Sequence, residues 1–136
     1  MIVVDASVAY KWWDKKEPLS EEAKIILTNN FNNTDQILVP DLILYELANA
    51  WATKTKFSPY RVKNNLKDLE EINLSIEPVS LDLIRKAIAF SRRYKVTVYD
   101  ATYVILAKGK KCKLVTADDK FVMQVKLPFV KHLSEY

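Results

Sequence analysis

The sequence predicts an α/β fold, a three-layer α/β/α sandwich with a central parallel sheet, formed by residues 1–136 as a single domain. Three observations predict it. Short apolar runs such as Ile2–Val4, Ile37–Val39 and Lys113–Thr116 read as buried strands, and longer segments of helical periodicity separate them. That alternation calls for a parallel sheet covered by helices on both faces. A length of 136 residues with 49% hydrophobic and 28% charged residues suits one core with an ordinary charged surface.

The elements follow in order. Ile2 to Val4 forms the first strand and ends at Asp5. Ala6 to Trp13 reads as a short helix. Two adjacent tryptophans on one short helix are not expected to point inward together, so at least one of Trp12 and Trp13 is expected at a dimer or partner groove, with Trp51 and Phe57 nearby. Ser20 is the expected cap of a helix that turns Ala23, Ile26, Leu27 and Phe31 inward, and Asn29 to Thr34 reads as a loop. After the strand Ile37–Val39, Pro40 and Asp41 open a helix that runs to about Thr55. Ser58 followed by Pro59 is a start signal for a helix burying Val62, Leu66 and Leu69. Ser75 to Val79 contains Pro78 and is expected at a sheet edge. Ser80 caps a helix with Leu83, Ile84, Ala87, Ile88 and Tyr94 inward. Asp100 opens a nearly all-apolar helix over Ala101–Ala107, which Gly109 stops. A strand over Lys113–Thr116, a short helix from Asp118 and a last strand over Phe129–Lys131 complete the chain.

Composition excludes several functions. A single glycine, Gly109, rules out the glycine-rich phosphate loops of nucleotide-binding proteins. Cys112 is alone, so no intrachain disulfide forms, and it reads as a small core or strand-edge residue; with no basic, apolar leader, a cytoplasmic protein is expected. No run approaches the roughly 18 apolar residues of a membrane span, so no membrane partner is expected. The net charge of +4 permits a polyanionic partner.

Four acids interrupt strongly apolar stretches: Asp5 in VVDASV, Glu46 in LILYEL, Asp100 in VTVYDATYVILA and Asp118 in LVTADD. Asp5 and Asp118 fall at the carboxyl ends of strands, where ligand sites form in open parallel sheets. Asp100 begins a helix, and Glu46 lies early on a helix that follows a strand. Each acid alone could serve as a cap, a turn residue or a solvated helix residue. Together they sit where unpaired charge is rare. No cation is placed to pair with them, since Lys11, Lys54 and Lys120 have surface periodicity. Four carboxylates about 5 Å apart would repel by roughly 3 kcal/mol per pair at an effective dielectric near 20, on the order of 20 kcal/mol in all. Such a group must hold protons or a divalent ion, and oxygen ligands favour Mg2+ or Mn2+. His132, the only histidine, lies far along the chain, so carboxylates and metal must carry the chemistry, which suits phosphodiester hydrolysis by activated water. Asp5, Asp100 and Asp118 are the candidate metal ligands, with Glu46 a fourth catalytic acid. Ser7, Asn49, Thr116 and Asp119 are candidate supporting residues.

These residues lie in four motifs. VVDASVAYKWW carries Asp5 and Ser7, VPDLILYELANAW carries Glu46 and Asn49, VTVYDATYVILAK carries Asp100, and LVTADDKF carries Thr116 and Asp118. In order and spacing, over nearly the whole chain, they resemble the PIN-domain family and its VapC-type toxins. The resemblance implies a Mg2+- or Mn2+-dependent endoribonuclease, usually a homodimer, and a cognate antitoxin whose C-terminal segment blocks the site. Two other readings are a housekeeping RNA-processing nuclease without an antitoxin and a catalytically silent binding module, the latter disfavoured by the four acids. A haloacid-dehalogenase-type phosphatase would need an aspartate where Ser7 stands. Two basic groups, Arg92, Arg93 and Lys95, then Lys108, Lys110, Lys111 and Lys113, read either as solvated helix ends or as a phosphate track near the carboxylate edge.

Overall fold

A computed structural model of the chain describes residues 1–54 and 56–136. Thr55, where the sequence places the end of the third helix, lies outside the described residues. Five strands, β1 (Ile2–Val4), β2 (Ile37–Pro40), β3 (Ser75–Glu77), β4 (Lys113–Thr116) and β5 (Val130–His132), form one parallel sheet in the order β3-β2-β1-β4-β5. The helices are α1 (Ala6–Ala9), α2 (Ser20–Phe31), α3 (Leu42–Thr53), α4 (Pro59–Ile72), α5 (Leu81–Tyr94), α6 (Val98–Gly109) and α7 (Asp119–Val125). The chain winds from β1 outward to β3, crosses the sheet to β4 and winds outward again to β5. Right-handed crossovers then put α1–α4 on one face and α5–α7 on the other. This is the expected three-layer α/β/α sandwich, and the winding direction reverses between β1 and β4.

The core explains the register. Val3, Val4, Val39, Leu114 and Val115 are buried within the sheet. Val3 pairs with Leu38 and Leu114, and Val4 with Val115. From the α5–α7 face, α6 buries Tyr103, Val104, Leu106 and Ala107. β3 is the edge strand that Pro78 predicts.

Several local expectations are overturned. The segment after Asp5 is not one helix: α1 ends at Ala9 and Tyr10–Trp12 tighten into a 3-10 turn. That change of winding lets both tryptophans bury, each only 8% exposed. Trp12 turns to α2, where its indole N–H donates to the Ala23 carbonyl at 3.0 Å. Trp13 packs edge-on against Trp51 at 5.0 Å, and its N–H donates to Asp68 Oδ2 at 3.3 Å. Neither is a free docking anchor. Ser20 does not cap α2; Leu19 does, in the left-handed region at φ 60°, and Ser20 begins the helix. Helix α2 also runs through Asn29–Phe31, because Asn30 is buried and ties the helix to the sheet. Its amide accepts from the Ile37 N–H at 2.8 Å and donates to the Ile72 carbonyl at 3.2 Å. Pro40 closes β2, pairing with Glu77, rather than opening α3. Phe31, Leu66 and Ile88 are exposed; α4 buries Asn65 and Ile72 instead, and α5 only Ala87. Ser58 and Ser80 cap α4 and α5 as expected.

Candidate active site

The site is built at the carboxyl edge of the sheet, beside the β1–β4 reversal. The Asp5 N–H donates to the Val115 carbonyl at 3.3 Å, joining the two strand ends. Asp5 caps α1: its Oδ1 accepts the Val8 N–H at 3.2 Å and the Ser7 hydroxyl at 2.5 Å. Ser7 Oγ also accepts the Ala117 N–H at 2.9 Å and lies 3.5 Å from Thr116 Oγ1. Thr116 is fully buried, and its hydroxyl accepts the Asp118 N–H at 3.1 Å. Ser7 and Thr116 thus tie the Asp5 carboxylate to the segment that carries Asp118. Burial pushes the Asp5 carboxyl up from its ordinary range; hydrogen bonds from Ser7, Thr116 and Val8 oppose the rise, and the nearby Asp100 charge adds to it.

Asp118 caps α7, accepting the Phe121 N–H at 3.0 Å. Asp100 does not open α6. Thr97 caps that helix and Asp100 is its third residue. The Thr97 hydroxyl accepts the Asp100 N–H at 3.0 Å and donates to Asp100 Oδ2 at 2.8 Å. Asp100 is raised by burial, then lowered by Thr97 and raised again by the Asp118 charge. From the opposite layer, Glu46 on α3 receives a hydrogen bond from the Tyr103 hydroxyl at 2.5 Å. Burial raises Glu46, the Tyr103 bond opposes this, and the Asp5 and Asp100 charges add to the rise. Tyr103 is itself driven strongly up, by burial and then by Glu46, so its phenol stays protonated and donates.

All four acids line one open cleft of about 740 Å³. Asn49 lines it as well, and so do Tyr45 and Tyr99, which are 79% and 61% exposed. Asp119 does not. It stands 84% exposed over the last strand, where Oδ1 lies 3.4 Å from His132 Nε2. Lys11 overturns its expected surface placement: it is buried in the cleft wall and pairs with Glu17 at 3.1 Å. Among the described residues no Lys, Arg or His forms an ion pair with any of the four acids.

The acids are nevertheless not packed as tightly as the 5 Å spacing assumes. No three Asp, Glu, His or Cys among the described residues converge closely enough to enclose an ion. Each carboxylate turns to a donor of its own: Asp5 to Ser7 and Val8, Glu46 to Tyr103, Asp100 to Thr97, Asp118 to Phe121. The donor set is all oxygen and fits a hydrated Mg2+ or Mn2+ that keeps several of its waters, the usual habit of Mg2+, rather than a closed cage. Tyr103 and Thr97 are participants that sequence reasoning missed. Tyr103 follows Asp100 by three positions and so shares its helix face, a signal open to a reader of the sequence.

The arrangement matches a known family. The model described as "PIN domain" matches residues 2–124. The chain belongs to the PIN domain family. Solved structures show the same fold at low identity. A toxin–antitoxin complex from Klebsiella pneumoniae aligns with a TM-score of 0.71 at 17% identity, covering 98% of each chain. VapC20 of Mycobacterium tuberculosis, described as a sarcin–ricin loop cleaving toxin, aligns at 0.65 and 16% identity, covering 92% of this chain and 95% of that one. FitAcB from Neisseria gonorrhoeae aligns at 0.66 and 13% identity over 100% of both chains. Comparison with curated protein sequences gives no match. In this PIN domain no described helix is long and apolar enough to cross a membrane.

Proposed function

We propose that this PIN domain is a metal-dependent endoribonuclease and the toxin of a toxin–antitoxin pair. One observation carries the reading: acids from four separate segments of the chain line a single cleft, and none of them forms an ion pair among the described residues. Membership of the PIN domain family and the fold shared with toxin structures support it. Asp5, Asp100 and Asp118 would hold Mg2+ or Mn2+. Such an ion lowers the pKa of bound water and neutralises charge on the attacking and leaving oxygens.

The chain's own groups set up the rest. Ser7 and Thr116 fix the Asp5 carboxylate, and Thr97 fixes Asp100. Tyr103 orients Glu46, which burial has shifted toward a proton-carrying role. Tyr45 and Tyr99 on the cleft rim offer ring faces on which unstacked bases can rest, and Lys54 beside them attracts phosphate. These features favour single-stranded RNA. A homodimer and an antitoxin that covers this cleft complete the proposal, as does action in the cytoplasm.

Sequencing RNA ends after pulsed expression of wild type and of Asp5→Asn tests it. Wild type should create a discrete set of new ends that the variant lacks. The same new ends in both would remove Asp5 from the reaction.

A further inference from the structure

The second basic group does not lie near the carboxylate edge. Lys113 begins β4 and pairs in register with Ile2, whereas the acids follow the far ends of β1 and β4. Lys108, Lys110 and Lys111 end α6 and enter the turn before β4. With Met1, Asp35, Cys112 and Phe129 they line a separate open pocket of about 700 Å³ at the amino-terminal edge.

Its charge is not balanced. The Met1 amino group pairs with Asp35, and Lys110 pairs with Glu77 at 2.6 Å. Lys108, Lys111 and Lys113 have no ion-pair or hydrogen-bond partner for their side chains among the described residues. Three ammonium groups without an ion-pair partner among the described residues thus stand around one cavity. The helix dipole explains one cation in the last turn of α6, which Lys108 supplies, but neither Lys111 beyond the helix nor Lys113 on a strand.

The shape selects among anions. A lone phosphate is held by convergent donors and free backbone N–H groups. Here the N–H groups of Lys110, Lys111 and Cys112 are already committed to the carbonyls of Leu106, Lys108 and Ala107. The three lysines are all exposed and lie on a helix end, a turn and a strand, so they present spaced charges rather than one focus. Spaced lysines over a cavity suit a repeating polyanion bound through counterion release. The half-buried ring of Phe129 in the same pocket favours a chain that carries bases over an acidic peptide.

We infer that Lys108, Lys111 and Lys113 form a second RNA-binding site, at the sheet edge opposite the acids, that holds the backbone of single-stranded RNA outside the cleavage cleft. This rests on the reading of the cleft as an RNA-cleaving site. It divides the work: the acids cut, and the distal lysines favour substrates long enough to reach both edges.

The test compares wild type, the triple variant Lys108→Gln/Lys111→Gln/Lys113→Gln and the charge-preserving triple arginine variant. Labelled single-stranded RNAs of about 16 and about four nucleotides are bound in EDTA over a range of salt. For the longer RNA, the glutamine variant should lose about 2 from the slope of log affinity against log salt and roughly tenfold in affinity at low salt, and the arginine variant should retain both. Binding of the short RNA, and its cleavage in Mg2+, should not change. An unaltered salt slope would overturn the inference, as would an equal loss on the short RNA. Competition by poly-glutamate as effective as by RNA, and lost in the same variant, would assign the pocket to an acidic peptide and also overturn it. If no variant cleaved RNA in Mg2+, the proposed activity would fall, while the salt slope in EDTA would still decide whether this pocket binds RNA.

Discussion

Asp5 serves two ends that conflict. As the cap of α1 it satisfies the Val8 N–H, and as a half-buried anion near Asp100 it opposes folding at neutral pH. Its carboxyl is raised, so the native state holds that proton more tightly than the unfolded chain. Stability from this group is therefore full below the ordinary aspartate range and is lost as pH rises through the raised value. Asparagine caps as well as aspartate and carries no charge. Asp5→Asn should thus raise the unfolding free energy at pH 7 in EDTA while abolishing cleavage. The advantage should shrink as pH falls toward the acid range, and melting curves of both proteins over pH would show it. A variant less stable than wild type at pH 7 would contradict the assignment of Asp5 as a destabilising charge. At this scale the four acids were legible because charge inside apolar stretches is conspicuous. Their hydrogen-bond partners were less so. Tyr103 looks like one more core residue until Glu46 arrives from the opposite layer, and Asp119 resembles a neighbour of the site until its helix turns it toward His132.

Among the elements, α6 shows why a cap signal can mislead. Gly109 is read from sequence as the stop, but it is the last helical residue, needs no positive φ, and a Cβ there would meet nothing within 4 Å. The left-handed turn falls on Lys111 instead, at φ 54°. Gly109→Ala should therefore stabilise the protein by roughly 0.5–1 kcal/mol, measurable as a shift in denaturant midpoint, and a loss of stability would contradict the assigned helix end. The Tyr10–Trp12 turn is the reverse case. A uniform helix would expose one of two neighbouring tryptophans, but a 3-10 turn rotates Trp12 toward α2 and Trp13 toward Trp51. Trp13→Ala should accordingly cost about 3–5 kcal/mol, where an exposed residue would cost under about 0.5 kcal/mol. Hydrophobic periodicity located α4 and α5 but not their depth. Leu66 and Ile88 share the period of core residues yet sit on outer helices with no layer above them.

Over the whole molecule, strand alternation was enough to predict a parallel sheet, because short apolar runs separated by helices leave few other arrangements. What no local pattern could supply was the strand order, which depends on contacts far apart in the chain. That order brings Asp5 and Asp118 together at one edge and sends Lys113 to the other. The two basic groups, alike in sequence, differ in place: the later lysines line the pocket at the amino-terminal edge, whereas Arg92, Arg93 and Lys95 at the end of α5 line neither that pocket nor the acidic cleft. We propose that the cleft at the carboxyl edge is a metal-dependent ribonuclease site. Cleavage of single-stranded RNA by purified wild type and Asp100→Asn, in Mg2+ and in EDTA, tests it most directly. Wild type should cleave only in Mg2+, and Asp100→Asn should be inactive in both while melting at or above the wild-type temperature. Cleavage that persists in EDTA, or that survives in a folded Asp100→Asn protein, would contradict the account.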